Sequence, residues 1–113
     1  MSDCLFCRMA SGEMAVPKLY EDDQLFAIDD IHPRAPVHFL VIPKEHIATL
    51  ADLTEPQALL LFHMVETANK LAAAKGVAER GYRVVINVGV EGGQAVFHLH
   101  MHVLGGRLLH AEG

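Results

Sequence analysis

Residues 97–104 (FHLHMHVL) constrain the fold of this chain more than any other segment, because histidines alternate with apolar residues along them. Side chains of a β-strand point alternately to its two faces, so His98, His100 and His102 are expected to share one face. The apolar residues between them then point into a core on the other face. Each imidazole needs a polar partner when it is buried, which makes this row poor core material. The pattern therefore predicts a strand with one chemically functional face.

Three interpretations of the histidine face are open. The first is a solvated strand face. The second is a metal site made of all three histidines, although side chains about 6–7 Å apart on one straight strand converge poorly on one ion. The third is catalytic: the central imidazole, His100, acts as a nucleophile once its other ring nitrogen is held by a hydrogen bond, and its neighbours contact a phosphoryl group or donate a proton. The preceding segment, residues 92–95 (GGQA) with Gly93, Gln94 and Ala95, favours the third, since its two glycines let backbone N–H groups approach phosphate oxygens.

The rest of the chain predicts an α+β fold. A long helix begins after Thr54, where Gln57 can complete a capping box, and it ends near Gly76. Apolar residues recur at helical spacing along it, at Leu59, Phe62, Val65, Ala68 (or Asn69) and Ala72. A short helix turn is predicted at residues 3–11, ending near Gly12, and strands at residues 18–21, 24–29, 37–42, 82–88 and 97–104. This order predicts a mostly antiparallel sheet, and 113 residues suffice for one domain, 1–113, but not for two.

Charge and hydropathy exclude several classes of partner. The formal net charge is −5 and the basic residues form no cluster, so we expect no nucleic acid polymer as a ligand. If the protein binds phosphate, it must do so with backbone amides and a few side chains, which points to a small nucleotide. The apolar runs are too short for a membrane span, and the N-terminus shows no secretory signal, so no membrane association and a cytoplasmic location are expected.

Both cysteines belong to one Cys-x-x-Cys pair, Cys4 and Cys7. In a reducing compartment such a pair indicates metal or redox chemistry more than a structural disulfide. Two thiolates from one helical turn and two histidines would make a tetrahedral zinc site. Two ordinary thiols and a redox pair are the alternatives, and the redox pair is disfavoured because no thioredoxin-like strand precedes it.

Segments spread over almost the whole chain match one family signature. They are the alternating histidines through Leu104, Phe6, residues 29–31 (DDI), residues 35–44 (APVHFLVIPK), Tyr82-Arg83, Asn87, residues 92–94 (GGQ) and residues 104–107 (LGGR). On these residues the chain resembles the histidine triad (HIT) superfamily, and most closely its Hint-like branch, the nucleoside phosphoramidases. The resemblance implies a five-stranded antiparallel sheet with one long and one short helix, paired as a homodimer around the long helix and a strand.

The resemblance also implies a role for each matching histidine. His100 is expected to be the nucleophile that forms a nucleotidyl-histidine intermediate. His98 and His102 flank it, with His102 near the phosphate oxygens, and His38 assists proton transfer. The implied reaction is hydrolysis at the α-phosphate of a purine nucleoside phosphoramidate, releasing a nucleoside monophosphate of the AMP or GMP type. No organic cofactor is expected.

Substrate contacts follow from the same resemblance. Asp30 is expected to accept the ribose hydroxyls, since its two oxygens suit a diol. Asn87 would hold the substrate near the phosphate and ribose. An apolar slot for the base is implied, made by Leu5, Phe6, Met9, Ile28 and Ile31.

Two alternatives to the phosphoramidase function stay open. The first is hydrolysis of dinucleoside polyphosphates or another nucleotidyl transfer. The second is a zinc-stabilised nucleotide- or partner-binding module with vestigial activity. Ala95 bears on this choice, because it stands where Hint-like proteins commonly have a serine whose hydroxyl can contact the phosphate or the leaving group.

Two zinc ligands are implied only by the resemblance. Some HIT proteins, especially bacterial ones, use a histidine after the Pro-Lys segment and the first histidine of the triad, which match His46 and His98. With Cys4 and Cys7 these would hold one structural zinc. His98 would then be a metal ligand and not a free acid or base.

Overall fold

The computed structural model describes residues 3–112. Within that range the helices are α1 (Leu5–Ser11) and α2 (Ala58–Ala74), and 3-10 turns lie at Leu50–Asp52 and Glu55–Gln57. The strands are β1 (Tyr20–Glu21), β2 (Leu25–Asp29), β3 (Val37–Pro43), β4 (Tyr82–Val85) and β5 (Met101–Gly105). They form one sheet in the order β1-β2-β3-β5-β4, with every neighbouring pair antiparallel. The predicted α+β fold with an antiparallel sheet, one long helix and one short helix is confirmed.

The central strand β3 is buried along nearly its whole length because both faces of the sheet are covered. Phe39 and Val41 pack with Met64 of α2 in one cluster, while Leu40 packs with Phe6 of α1 in the other. Burying each such side chain contributes about 1.5–3 kcal/mol. Two apolar layers therefore clamp the strand that lies beside the histidines.

The short helix α1 is defined at both ends by its own sequence. The Sγ atom of Cys4 at the N-cap accepts a hydrogen bond from the backbone N–H of Cys7. Gly12 ends the helix with φ at 85°, a left-handed conformation that glycine adopts without strain, and its N–H donates to the carbonyl of Met9. The helix buries Phe6 against the face of the sheet that carries the histidines.

The strand predicted at residues 97–104 is wrong at its start: β5 begins at Met101, so only His102 of the three histidines lies in a regular strand. The register pairs Val41 with Met101, which would place Leu99 opposite Pro43. Proline has no N–H to donate, so the ladder ends there. The N–H of Leu99 bonds instead to the carbonyl of Ile47.

The apolar residues of α2 lie on two faces of the helix, whereas their recurrence at helical spacing in the sequence indicated one apolar stripe. Ala68 and Ala72 are buried together with Met64. Leu59, Phe62 and Val65 are exposed at 81%, 58% and 39% of their surface, respectively. The apolar spacing along this helix thus combines a core face with an uncovered face.

The start of α2 also differs in detail from the prediction. The capping box between Thr54 and Gln57 forms, but it caps the 3-10 turn Glu55–Gln57 that leads into the helix. Across residues 3–112 the structure contains no helix with both the length and the apolar character needed to traverse a bilayer.

Candidate active site and metal centre

His100 is held as a tautomer that leaves one ring nitrogen unprotonated. Its Nδ1 lies 2.8 Å from the carbonyl oxygen of His98, and a carbonyl can only accept, so Nδ1 carries the proton. In the neutral ring the lone pair is therefore on Nε2. The ring is buried, and the edge of the Phe6 ring packs against it with centroids 5.1 Å apart. This is the tautomer and the orientation that a nucleophilic imidazole needs.

His38 and His102 form a hydrogen-bonded pair of imidazoles beside His100. Nε2 of His38 lies 2.9 Å from Nδ1 of His102, and the backbone N–H of Arg34 donates to Nδ1 of His38 over 3.1 Å. Because His38 accepts at Nδ1, its own proton is on Nε2 and is donated to His102. His102 then carries its proton on Nε2, and its ring centroid is 5.0 Å from that of His100.

Both members of this pair are neutral at pH 7. Burial lowers the pKa of His38, partly opposed by the nearby carboxylate of Asp30. Burial, together with the neighbouring His100 and His38, lowers the pKa of His102 to about 4. A neutral imidazole donates without bringing a charge into the buried site, so His102 suits the role of a neutral hydrogen-bond donor.

Asp30 lies at the end of β2 and joins this pair. One carboxylate oxygen, Oδ1, accepts the backbone N–H of His32 over 2.8 Å, which fixes the turn. The other, Oδ2, lies 3.3 Å from Nε2 of His38 and 4.0 Å from Nδ1 of His102. The carboxylate therefore connects the loop before β3 to the histidines.

These groups border a cavity of about 680 Å³, a size typical of small-molecule sites. His100 and His102 lie in its wall, whereas His38 and His98 lie behind it. All five residues of the predicted base slot line it: Leu5, Phe6, Met9, Ile28 and Ile31. The residues expected to contact ribose and phosphate also line it, with one exception: Asp30, Asn87, Gly93 and Ala95 do, and Gln94 does not.

Gln94 is buried and serves the loop instead of the cavity. Its Oε1 accepts the N–H of Gly89, and its Nε2 donates to the carbonyls of Ala48 and Val96 at 2.7 and 3.1 Å. The backbone N–H of Gln94 also donates within the loop, to the carbonyl of Gly89 over 3.0 Å. Both its side chain and its N–H are thus committed to backbone partners, which corrects its expected place among the substrate-facing residues. Asn87 supports the same loop by donating to the carbonyl of Gly92.

Four potential metal ligands converge around His98, two residues before His100. Nδ1 of His98 lies 3.3 Å from Sγ of Cys4 and 3.1 Å from Nδ1 of His46, which in turn lies 3.2 Å from Sγ of Cys7. All four ligand atoms lie within 4.8 Å of one another. A tetrahedral zinc with bonds of about 2.0–2.3 Å has ligand-to-ligand edges of about 3.3–3.8 Å, close to this spacing.

The tautomer of His98 is the one that a metal ligand binding through Nδ1 requires. Its Nε2 lies 2.7 Å from the carbonyl of Pro43, so Nε2 carries the proton and the lone pair of Nδ1 points at the cluster. A second group that orients a ligating imidazole in this way is a regular feature of zinc sites. The donor set of the four predicted residues Cys4, Cys7, His46 and His98 therefore fits zinc.

Comparisons with known proteins agree with this geometry. A family model described as "Scavenger mRNA decapping enzyme C-term binding" matches residues 3–110. An uncharacterized HIT-like protein of Synechococcus elongatus is 48% identical over 107 residues, which are 95% of this chain and 93% of that protein. The crystal structure of a HIT family hydrolase from Legionella pneumophila superposes with a TM-score of 0.92 at 48% identity, covering 94% of this chain and 95% of its own. The chain belongs to the histidine triad (HIT) superfamily.

A third relative bears on the cluster of potential metal ligands in this HIT protein. The crystal structure described as a Zn-bound histidine triad family protein from Mycobacterium smegmatis has a TM-score of 0.78 at 32% identity, covering 93% of this chain and 76% of that one. These matches confirm the predicted superfamily and fold. The Hint-like branch within the superfamily stays a prediction.

The cavity of this HIT protein also contains residues to which sequence analysis gave no role. Besides others, His32, Arg34, Arg83, Arg107 and His110 line it. Arg34 directly precedes residues 35–44, and Arg107 is the last of residues 104–107, two segments that carried the family resemblance. A single basic residue in a loop, however, forms no sequence pattern that indicates a role. The two residues are linked by a hydrogen bond between segments far apart in the sequence: the Arg107 guanidinium donates to the carbonyl of Arg34.

Proposed function

We propose that this HIT protein is a Hint-like purine nucleoside phosphoramidase, a hydrolase that acts at the α-phosphate through a nucleotidyl-histidine intermediate. The observation that carries the proposal is the unprotonated Nε2 of His100 in the cavity wall, beside His102 with its proton on Nε2. A nucleophile and a hydrogen-bond donor are thus present in complementary states on one side of the cavity.

The proposed reaction has two steps. In the first, Nε2 of His100 forms a bond to phosphorus while the bond from phosphorus to the amine nitrogen breaks; the nitrogen takes up a proton from solvent and leaves as the amine, and the neutral His102 donates a hydrogen bond to it from Nε2. The carbonyl of His98 holds Nδ1–H of His100 as positive charge develops on that ring. In the second step water attacks phosphorus and the bond to His100 breaks. One water proton returns to solvent, His100 is regenerated, and the nucleoside monophosphate leaves.

Binding of the substrate uses the remaining wall of the cavity. The base enters the apolar slot at Phe6 and Ile28, and the carboxylate of Asp30 accepts the ribose hydroxyls. The backbone N–H of Ala95 and the Nε2–H of His102 approach the phosphate, whereas the N–H of Gly93 donates to the carbonyl of Val90 over 3.0 Å. Electrostatic stabilisation of the phosphoryl oxygens then comes from fixed N–H donors.

The first test compares two substrate classes on the purified protein. Adenosine 5′-phosphoramidate is expected to turn over faster than a diadenosine polyphosphate, with AMP measured by chromatography. The reverse order would assign the protein to dinucleoside polyphosphate hydrolysis or nucleotidyl transfer. If AMP raises the melting temperature while neither substrate turns over, the protein is a binding module with vestigial activity.

We further propose that Cys4, Cys7, His46 and His98 hold one structural zinc, as suggested by their geometry and by the zinc-bound relative. When bound, the ion links α1 to the segment that presents the nucleophile, since Cys4 and Cys7 belong to the start of α1 and His98 lies two residues before His100. No organic cofactor enters the proposal.

Ala95 provides a test of the leaving-group side of the cavity. Restoring the hydroxyl with Ala95→Ser is expected to increase kcat on adenosine phosphoramidate by up to about tenfold, because one added hydrogen bond contributes about 1 kcal/mol in the transition state. Steady-state kinetics on both proteins measure it. Val90→Ser, an exposed residue of the same loop, is the control for adding a hydroxyl nearby. Equal or lower kcat in Ala95→Ser contradicts the proposed contact.

We propose that the exposed apolar face of α2 pairs two copies of the chain as a homodimer. Leu59, Phe62 and Val65 form this face, and large apolar groups grouped on one helix face are typical of interaction surfaces. Phe62→Glu is expected to convert a dimer into a monomer, because it places a charge in the apolar contact. Light scattering after gel filtration measures the mass, with Val90→Glu, which is exposed outside α2, as the control. A monomeric wild type, or a dimeric Phe62→Glu, contradicts this.

A further inference from the structure

The direction of the hydrogen bond between His38 and His102 is set from outside the pair. A distance of 2.9 Å between two imidazole nitrogens is compatible with either ring as the donor. The backbone N–H of Arg34, 3.1 Å from Nδ1 of His38, removes this ambiguity. If Nδ1 of His38 carried a proton, two N–H groups would face each other. The Arg34 N–H thus places the proton of His38 on Nε2 and, through it, the proton of His102 on Nε2.

The position of Arg34 depends on one exposed side chain. The guanidinium of Arg107 donates to the carbonyl of Arg34 over 2.8 Å and to the carbonyl of Leu108 over 3.0 Å. Beside it, Gly106 has φ at 98°, and a Cβ atom there would lie 2.9 Å from the Cβ of Pro36. The turn after β5 is therefore packed closely against the loop that carries Arg34.

We infer that Arg107 is a positioning residue for hydrogen-bond donation: by holding Arg34 it fixes the His38 tautomer, and thereby keeps a proton on the Nε2 atom of His102. The chain of contacts begins and ends on the same segment, because His102 lies in β5 and Arg107 follows that strand by two residues. The carboxylate of Asp30 also attracts the His38 proton, at 3.3 Å. When ribose hydroxyls compete for that carboxylate, as the proposed function has it, its attraction for the His38 proton weakens, and the Arg34 N–H becomes the stronger influence on the His38 tautomer.

Loss of the Arg107 contact has a defined chemical consequence. When the loop relaxes and the Arg34 N–H moves away, His38 is free to carry its proton on Nδ1 and to accept at Nε2. His102 then donates from Nδ1, and its Nε2 faces the substrate as a lone pair. The pair keeps its geometry while the donor to the leaving group is lost. Arg107 is exposed, so its replacement should leave the folded core intact.

The test uses Arg107→Gln, Arg107→Lys and the control Arg80→Gln, an exposed arginine outside the nucleotide cavity. In Arg107→Gln we expect kcat on adenosine phosphoramidate to fall about tenfold with little change in KM, because the hydrogen bond from His102 to the leaving amine is weakened and not removed. Arg107→Lys keeps a cationic donor for the Arg34 carbonyl and should recover most of kcat. Arg80→Gln should match the wild type.

The second readout does not depend on activity. Two-bond ¹H–¹⁵N correlation spectra of the histidine rings, recorded with saturating AMP so that ribose engages the Asp30 carboxylate, distinguish protonated from unprotonated nitrogens, and they should show His102 gaining an Nδ1–H population in Arg107→Gln only. This arm separates the inference from the proposed function, since a protein with no turnover still reports its tautomers. If the tautomer of His102 is the same in Arg107→Gln as in the wild type, the inference is overturned. This holds whether kcat is also unchanged or AMP affinity alone is lost.

Discussion

Replacing His100 with alanine is expected to lower the turnover of adenosine phosphoramidate by roughly 10⁴-fold or more, since loss of a covalent nucleophile removes the reaction path itself. The reason is geometric. Nε2 of His100 is the unprotonated imidazole nitrogen in the cavity wall, and its proton is committed to the carbonyl of His98. Neither His102 nor His38 can substitute, because their Nε2 atoms carry protons.

The measurement combines steady-state kinetics with mass spectrometry of enzyme quenched by denaturant at alkaline pH, because the bond between phosphorus and imidazole nitrogen is labile in acid. Wild type should carry an added nucleotidyl group during turnover, and His100→Ala should not. His63→Gln is the matched control: His63 is a partly buried histidine on α2 that bonds to Asp22, away from the cavity, and glutamine can keep a hydrogen bond. Similar turnover by His100→Ala and wild type would refute the nucleophile assignment.

The second large effect is expected from removing zinc. The double variant Cys4→Ser/Cys7→Ser should lose the metal and about 4 kcal/mol of stability when zinc is in thousandfold excess over its dissociation constant. For a domain of this size the melting temperature then falls on the order of 15 °C. Metal analysis should find about one zinc per wild-type chain under reducing conditions and none in the variant.

A control separates metal loss from damage to α1. Cys4 caps that helix through its Sγ, and serine retains an N-cap acceptor, so the helix itself should persist. His46→Gln removes a ligand from outside α1 and should produce a similar fall in melting temperature. Wild-type protein that contains no metal, or that melts at the same temperature with and without chelator, would eliminate the zinc site.

Most of the fold was predictable because local sequence patterns indicate where its helices and strands lie. The capping box at Thr54, the glycine at the end of α1 and the alternation in β5 each indicated an element that the structure contains. The start of β5 was not predictable from its own alternation, since the ladder ends where the partner strand has Pro43. Likewise, apolar spacing in α2 cannot separate a core face from an exposed one, and Phe62 lies on the latter.

The candidate site was predictable where side-chain chemistry forms a pattern. The histidine row indicated catalysis, and the resemblance added His46 as a partner for the cysteines, which come close only in three dimensions. Backbone partners leave no such pattern. Nothing in the residues alone indicates that Gln94 bonds to the carbonyl of Ala48, or that Arg107 bonds to that of Arg34.

Pro43 has a consequence beyond the end of the sheet. Where regular pairing stops, main-chain oxygens become free to receive ring protons: that of residue 43 receives one from His98, and that of His98 receives one from His100. Many hydrolases assign this task to a carboxylate, which can be neutralised by acid. Here the orienting groups are amide oxygens, which do not ionise in the physiological range and which no side-chain substitution removes. The placement of both imidazoles is thereby built into the polypeptide backbone.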